Sequence, residues 1–218
     1  MAVRPNIHIV YVTSSAYKVE ENRLFVEHAR LASGEAIASA FEFEIRELPI
    51  KEALEVDLTA MVMSEVAEAY SQIKVPCIVE HAGLVFEGYE RQSYPGGLTK
   101  PMWNALGDKF ITETQSAGRP ATAVAVVAYC DGKAVHTFRG ETKGHIARSP
   151  RGGRAFYWDT VFVPNTSAGK SGGQTYAEIV EDPALGLKHK VRDLSQSSKA
   201  MLKFLEYRRT ANPELWTR

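Results

Sequence analysis

Three clusters of residues have types and spacing that could do chemistry. The run Pro150-Arg151-Gly152-Gly153-Arg154-Ala155-Phe156-Tyr157-Trp158-Asp159 joins cations, glycines, aromatic rings and a carboxylate. Aromatic rings such as Phe156 and Trp158 can sandwich a planar base. A buried carboxylate such as Asp159 can read the donor edge of a purine, and Arg151 beside glycine lets backbone approach a charged group. The competing reading is a Gly-rich turn entering an aromatic edge strand. Thr13-Ser14-Ser15-Ala16-Tyr17-Lys18 sets short hydroxyls and one ammonium where a strand hands over to a helix. That arrangement suits a polyphosphate, and it also suits an ordinary N-cap with a surface lysine. Glu80-His81 puts a carboxylate beside an imidazole, a pair able to move protons.

The elements that must position these residues follow from periodicity. Ile7 to Thr13 is β-branched and aromatic, hence a strand. Lys18 to Leu31 has helical spacing, with Leu24, Phe25, His28 and Leu31 on one side. Phe41 to Leu48 alternates as a half-exposed strand, and Val56 to Ile73 reads as an amphipathic helix. Pro76 to Val79 reads as a short buried strand ending at Glu80-His81-Ala82-Gly83, with Leu84 to Phe86 continuing it after a bend. Thr99 to Thr114 reads as one helix. Thr122 to Cys130 and Ala134 to Ile146 form a hairpin about Asp131-Gly132. Phe156 to Val163 reads as a strand, Thr166 to Gly173 as a loop, Thr175 to Val180 as a short helix and Leu194 to Arg209 as the last helix. The charge runs Glu20-Glu21 and Glu65-Glu68 read as solvated faces. Alternating strands and helices with one central hairpin argue an α/β fold with a mixed sheet. Residues 1–210 are expected to form one domain and 211–218 a C-terminal tail.

Composition narrows the function classes. The 218 residues are 44% hydrophobic and 24% charged, and Lys+Arg and Asp+Glu both number 26. A balanced charge argues against a non-specific nucleic-acid binder. Cys77 and Cys130 sit in apolar runs and read as buried thiols of a reducing compartment. The first apolar run is too short for a signal peptide or a membrane span. The expectation is a cytoplasmic protein with no membrane and no nucleic-acid partner.

Several segments, in order, resemble the inosine triphosphate pyrophosphatase (Ham-type purine NTP pyrophosphatase) family. Its Thr-Gly-Asn-x-x-Lys corresponds to Thr13-Ser14-Ser15-Ala16-Tyr17-Lys18. Its central acid-rich segment corresponds to Val79-Glu80-His81-Ala82-Gly83-Leu84, and its Pro-Gly turn to Pro95-Gly96. Its Gly-x-Ile, Pro-Arg-Gly and Phe-Gly-Tyr/Trp-Asp-Pro-x-Phe correspond to Gly144-His145-Ile146, Pro150-Arg151-Gly152 and Phe156-Tyr157-Trp158-Asp159-Thr160-Val161-Phe162. Thr175-Tyr176-Ala177-Glu178 matches its Thr-Phe/Tyr-Ala-Glu. The resemblance implies an elongated two-lobed α/β fold with a central mixed sheet, a nucleotide cleft between the lobes and a homodimer. It implies hydrolysis of ITP, dITP or XTP to monophosphate and pyrophosphate with Mg2+. By the same resemblance Thr13, Ser14, Ser15 and Lys18 hold the triphosphate. Phe156, Trp158, Asp159, His189 and Lys190 hold the base, with Arg151 nearby, while Glu80 and His81 occupy the catalytic and metal positions.

The departures concern catalysis. Ser15 stands where the family has Asn, and Lys188-His189-Lys190 where it has Ser-His-Arg. Lys cannot reproduce the bidentate fork of Arg. Ile50 follows Leu48-Pro49 where the family has an acid, and His81 replaces its Asp. Imidazole is a poor ligand for Mg2+, which prefers hard oxygen donors; Glu52, Glu55 or Asp57 would compensate if the loop were shifted. Three readings stay open. One is a dITP or ITP binding module with lost or reduced hydrolysis, similar to the dITP-sensing subunit of Kongming-type anti-phage defence, which works in a complex with a sirtuin-like NADase effector. The second is an active Mg2+-dependent pyrophosphatase with a rearranged site. The third is cleavage of another nucleotide bond by His81 and Glu80 as an acid–base pair.

Overall fold

A computed structural model describes residues 6–165 and 172–211, apart from the side chains of 155 and 156. Residues 166–171 of the expected loop and 212–218 of the expected tail lie outside the described residues, as does the side chain of Phe156. The element order is β1 (Ile7–Val12), α1 (Ala16–His28), α2 (Ile37–Ala40), β2 (Phe41–Arg46), α3 (Leu58–Ile73), β3 (Cys77–Phe86), β4 (Pro95–Gly96), α4 (Thr99–Leu106), α5 (Phe110–Glu113), β5 (Pro120–Cys130), β6 (Val135–Ile146), β7 (Phe162–Pro164), α6 (Tyr176–Glu181), α7 (Gly186–His189) and α8 (Gln196–Thr210). A 3-10 turn (Gly107–Lys109) links α4 to α5, a second 3-10 segment (Arg154–Thr160) precedes β7, and a π-helical turn (Lys190–Leu194) precedes α8.

The seven strands form one mixed sheet in the order β2-β1-β3-β5-β6-β7, with β4 paired to β3. β1 lies parallel to β2 and β3, whereas β3, β5, β6 and β7 are joined antiparallel. This is the α/β mixed sheet expected from the pattern. Alternation assigns the two faces of the sheet. Ile9, Tyr11, Ile78 and Val127 pack with Phe25 of α1 and Phe204 of α8, while Val10, Val12, Val79 and Val126 pack under Leu58, Val62 and Val66 of α3. A third cluster gathers the far ends of β3 and β5 with Trp103, Phe110, Trp158, Phe162 and Tyr176. Cys77 and Cys130 are buried and unbonded, facing each other in register across β3 and β5. Among the described residues no helix is long and apolar enough to cross a membrane.

Three expectations about local structure are corrected. Glu80 and His81 do not end a strand: β3 runs unbroken from Cys77 to Phe86, paired to β5 at every residue. The charges interrupt the apolar pattern without interrupting the hydrogen-bond ladder, because other elements supply partners for them. The expected strand from Phe156 is instead a 3-10 segment to Thr160, and only Phe162–Pro164 joins the sheet. Rings at successive positions are compatible with either conformation, so pattern alone does not separate them. The single helix expected over Thr99 to Thr114 is broken by the 3-10 turn at Gly107, whose φ of 52° is left-handed.

The placement of β3 creates the cleft. β1 pairs with β3 only at Val10–Cys77 and Tyr11–Ile78, then ends at Val12, while β3 continues. A crevice opens beyond the carboxyl end of β1, where open α/β sheets bind ligands. Helix α8 closes one side through a tight approach at Gly140 of β6, where an added Cβ would collide with the Gln196 carbonyl and the Ala200 amide. Gly140→Ala should therefore push away the N-terminal turn of α8 and cost about 1–3 kcal/mol, read as a lowered urea midpoint. An unchanged midpoint would show that α8 is not held by this contact.

Candidate active site: a cleft beyond the end of β1

One cleft collects residues from β1, α1, the 48–52 loop, α3, β3, α4, the 3-10 segment, the π-helical turn and α8. Its volume is about 180 Å³. Thr13, Ser14, Ser15, Lys18, Glu80, His81, Trp158, Asp159 and Lys190 all line it. At its first end β1 turns into α1. The Ser15 hydroxyl caps α1 by accepting from the Lys18 amide at 3.4 Å, and the Thr13 hydroxyl accepts from the Ser15 amide at 3.2 Å. The helix N-terminus with its uncompensated N–H groups and partial positive charge thus faces the cleft beside the Lys18 ammonium.

At the other end Lys190 is buried on the π-helical turn. Its ammonium donates to the Asp159 carboxylate and, at 2.9 Å, to Glu21 of α1, and it lies 5.0 Å from the centroid of the Tyr176 ring. Burial works against the Lys190 charge, but Asp159 and Glu21 outweigh it and hold the ammonium above its ordinary range. Burial pushes the Asp159 carboxyl up to about 6, with Lys190 opposing and Glu21 adding to the rise.

Glu80 and His81 lie between these ends and face opposite ways, as neighbours on a strand must. Glu80 is 4% exposed. Its carboxylate pairs with Lys18 at 3.1 Å and accepts from the Ser197 hydroxyl at 3.1 Å and the Tyr11 phenol at 3.4 Å. Lys18 donates to the Glu80 backbone carbonyl as well. Burial, then the charge of Glu80, raises the Tyr11 hydroxyl well above its ordinary value. His81 instead turns to α3, where its Nε2 lies 2.6 Å from Glu65 Oε2. Glu65 is 2% exposed and its second oxygen has no partner among the described residues. Glu80 and His81 therefore both line the cleft but are held by different partners, and Glu65 is the carboxylate that meets His81.

The fates of the remaining expected residues differ. His189 does not line the cleft; its Nδ1 is 2.7 Å from Asp193 one helical turn on. Arg151 is also outside. It bonds the Gly173 carbonyl and pairs with Glu178 at 3.2 Å, tying the 150s turn to the start of α6. Thr175 and Glu178 cap α6 reciprocally, so the Thr-Tyr-Ala-Glu segment is a capping box here. Ile50 and Glu52 line the cleft, whereas Glu55 accepts from the Val56 amide and Asp57 caps α3. Among the described residues no three of His, Cys, Asp and Glu converge on a metal-binding geometry.

Sequence reasoning misses Glu21 and Glu65, which read as solvated. Both carry a signal. Glu65 falls among Met61, Val62, Val66 and Ala69 on the buried stripe of α3, and Glu21 falls between Lys18 and Phe25 at helical spacing. Tyr17, Lys100 and Ser197 also line the cleft and have no sequence signal. Tyr157 has a φ of 52°, a left-handed backbone that costs a non-glycine residue roughly 1–2 kcal/mol.

The raised Asp159 carboxyl gives a pH prediction. Folding favours its protonated form, so its contribution to stability is complete below an unfolded value of about 4 and is lost as pH rises through about 6. Urea midpoints between pH 4 and 7 should carry this falling component, and Asp159→Asn should remove it. A variant with the wild-type pH profile would assign the titration to another group.

Comparison with known proteins bears on the family and the fold. The chain is 29% identical over 210 residues to the inosine triphosphate pyrophosphatase of Kluyveromyces lactis, covering 93% of this chain and 96% of that protein. It is 32% identical over 136 residues to the dITP/XTP pyrophosphatase of Methanopyrus kandleri, covering 61% of this chain and 64% of that protein. In fold it is similar to a HAM1 protein from Coxiella burnetii, with a TM-score of 0.64, 19% identity, and 94% and 98% of the two chains covered. A model of the Ham1 family matches residues 9–207, and with nearly the whole described chain inside that match, the chain belongs to the Ham1 family.

Proposed function

We propose that this Ham1-family protein binds a purine nucleoside triphosphate of the inosine type, dITP or ITP, in the cleft beyond β1 and hydrolyses it slowly or not at all. The observation that carries the reading is the state of Glu80 and His81. A phosphate-suited turn and a buried base-suited cation stand at the two ends of one cleft. Between them, Glu80 is engaged by Lys18, Ser197 and Tyr11, and His81 by Glu65. Water attack on a phosphoanhydride with Mg2+ needs hard oxygen donors that hold the ion and orient the water. At the positions where the family carries its acids the side chains do not fit that role, since Ile50 is apolar, Glu80 already balances a cation, and His81 is an imidazole; the other carboxylates lining the cleft are Glu21, Glu52, Glu65 and Asp159. The polyphosphate would be met by Ser15, the α1 N-terminus and Lys18. The Lys190 ammonium would face the carbonyl edge of the base, with Trp158 beside it.

A protein that holds its nucleotide without consuming it suits a sensor, because a persistent bound state can shift a partner's equilibrium. The same reading makes this chain a subunit that reports dITP to an effector such as a sirtuin-like NADase, as in the Kongming-type defence complexes it resembles, in a homodimer or hetero-complex in the cytoplasm. The relatives named as ITP or dITP/XTP pyrophosphatases support the ligand class. A second reading, an active pyrophosphatase releasing pyrophosphate, is favoured by one feature. Glu65 keeps a buried oxygen, unpartnered among the described residues, against His81, which could hold the imidazole as a base.

Calorimetry with dITP and ITP, paired with a pyrophosphate-release assay in Mg2+, separates the two. The expected result is binding with turnover at least about 100-fold below the ~10 per second of a typical enzyme. Many equivalents of pyrophosphate per second would overturn the sensor reading; absence of binding to either nucleotide would overturn both. In the sensor case Ile50→Glu combined with His81→Asp should raise Mg2+-dependent release by about tenfold or more. No gain in that variant would place the loss of activity outside the metal site.

A further inference from the structure

Tyr157 occupies a backbone position that a tyrosine adopts only under constraint. Its φ of 52° lies in the left-handed region. Burial of the ring does not compensate, since the residue is 37% exposed. The residue instead lines the cleft. Tyr17, from the first turn of α1, meets it edge to face at a centroid distance of 6.1 Å and an interplanar angle of 82°. Lys100 of α4 places its ammonium 5.5 Å from the centroid of the Tyr157 ring. All three residues line the cleft. They come from three separate elements: the phosphate-side helix, the base-side 3-10 segment and a helix of the third apolar cluster.

Strain of this kind persists where the surroundings over-determine it, and it concentrates at ligand clamps. We propose that Tyr157, together with Tyr17, is an aromatic clasp that parts to admit the purine nucleotide and then closes on it, setting how long it stays bound. The proposal rests on the nucleotide-binding reading above. Its chemistry is sequence-tolerant stacking of a ring on a planar base or on the other ring of the clasp. Lys100, drawn to the ring face, is released toward the phosphates when the clasp opens.

The clasp makes two effects of opposite sign follow from one substitution. Tyr157→Gly removes the left-handed strain and the ring together. Its thermal midpoint should equal or exceed that of the wild type, while release of dITP, followed by stopped-flow tryptophan fluorescence, should speed up about tenfold or more, with a matching rise in Kd. Tyr157→Asn, which tolerates the same backbone without the ring, should release as fast; Tyr157→Phe should release at the wild-type rate. If the wild type binds dITP and both ring-less variants release it at the wild-type rate, the clasp is overturned and the binding reading stands. If Tyr157→Gly melts clearly lower, the ring is a structural support and the clasp is overturned. If the wild type binds neither dITP nor ITP, the binding reading fails and the clasp with it.

Discussion

The ammonium of Lys190 holds the site together. Asp159 comes from the 3-10 segment before β7, Glu21 from α1, and Lys190 from a π-helical turn between α7 and α8. No two of these elements are adjacent in the chain. A buried ammonium without carboxylates would be too costly to keep, and the buried Asp159 carboxylate without it would also be costly. Through these contacts the ammonium brings the 3-10 segment that carries Asp159 against the helix that carries the phosphate-suited turn. π-helical turns are uncommon and frequent at functional sites. This one carries Lys190 at its first position and precedes the Ser195 cap of α8.

The second constraint is the period of a strand. Neighbouring side chains on β3 must point to opposite faces, so Glu80 enters the environment of α1 and α8 while His81 enters that of α3. The carboxylate is held by a lysine, and the imidazole meets a different carboxylate. Two residues adjacent in sequence thus belong to two separate polar networks, joined only by the cleft between them. A network of this sort fixes geometry well, because each buried polar atom it satisfies would otherwise be expensive. The second oxygen of Glu65, unpartnered among the described residues, is the exception, and it lies beside the position where the motif has changed most.

Much of the fold is legible in the sequence because it rests on local patterning. β1, β2, α3 and the β5–β6 hairpin follow from alternation, helical spacing and the Asp131-Gly132 turn. β3 reads short because charges in an apolar run look like an ending; for Glu80 the hydrogen-bonding partners, the Lys18 ammonium and the Ser197 hydroxyl, lie 62 and 117 residues away in the chain. The strand expected from Phe156 fails for another reason: a tyrosine at a left-handed φ cannot belong to a strand, and nothing in the side-chain pattern announces that angle.

By itself the sequence determined most of the element types, the capped phosphate-suited turn at Ser15, the burial of Cys77 and Cys130, and the motif order that marks the family. Those depend on neighbours a few residues apart. Tertiary structure alone decided which charges face inward. Glu21 and Glu65, whose spacing hints at an inward face but names no partner, meet Lys190 and His81, while Arg151 and His189 turn away to brace other elements. The physical reason is that a charged side chain is buried only where a distant partner offsets its desolvation, and that partner is set by the packing of α1, α3 and the π-helical turn against one sheet.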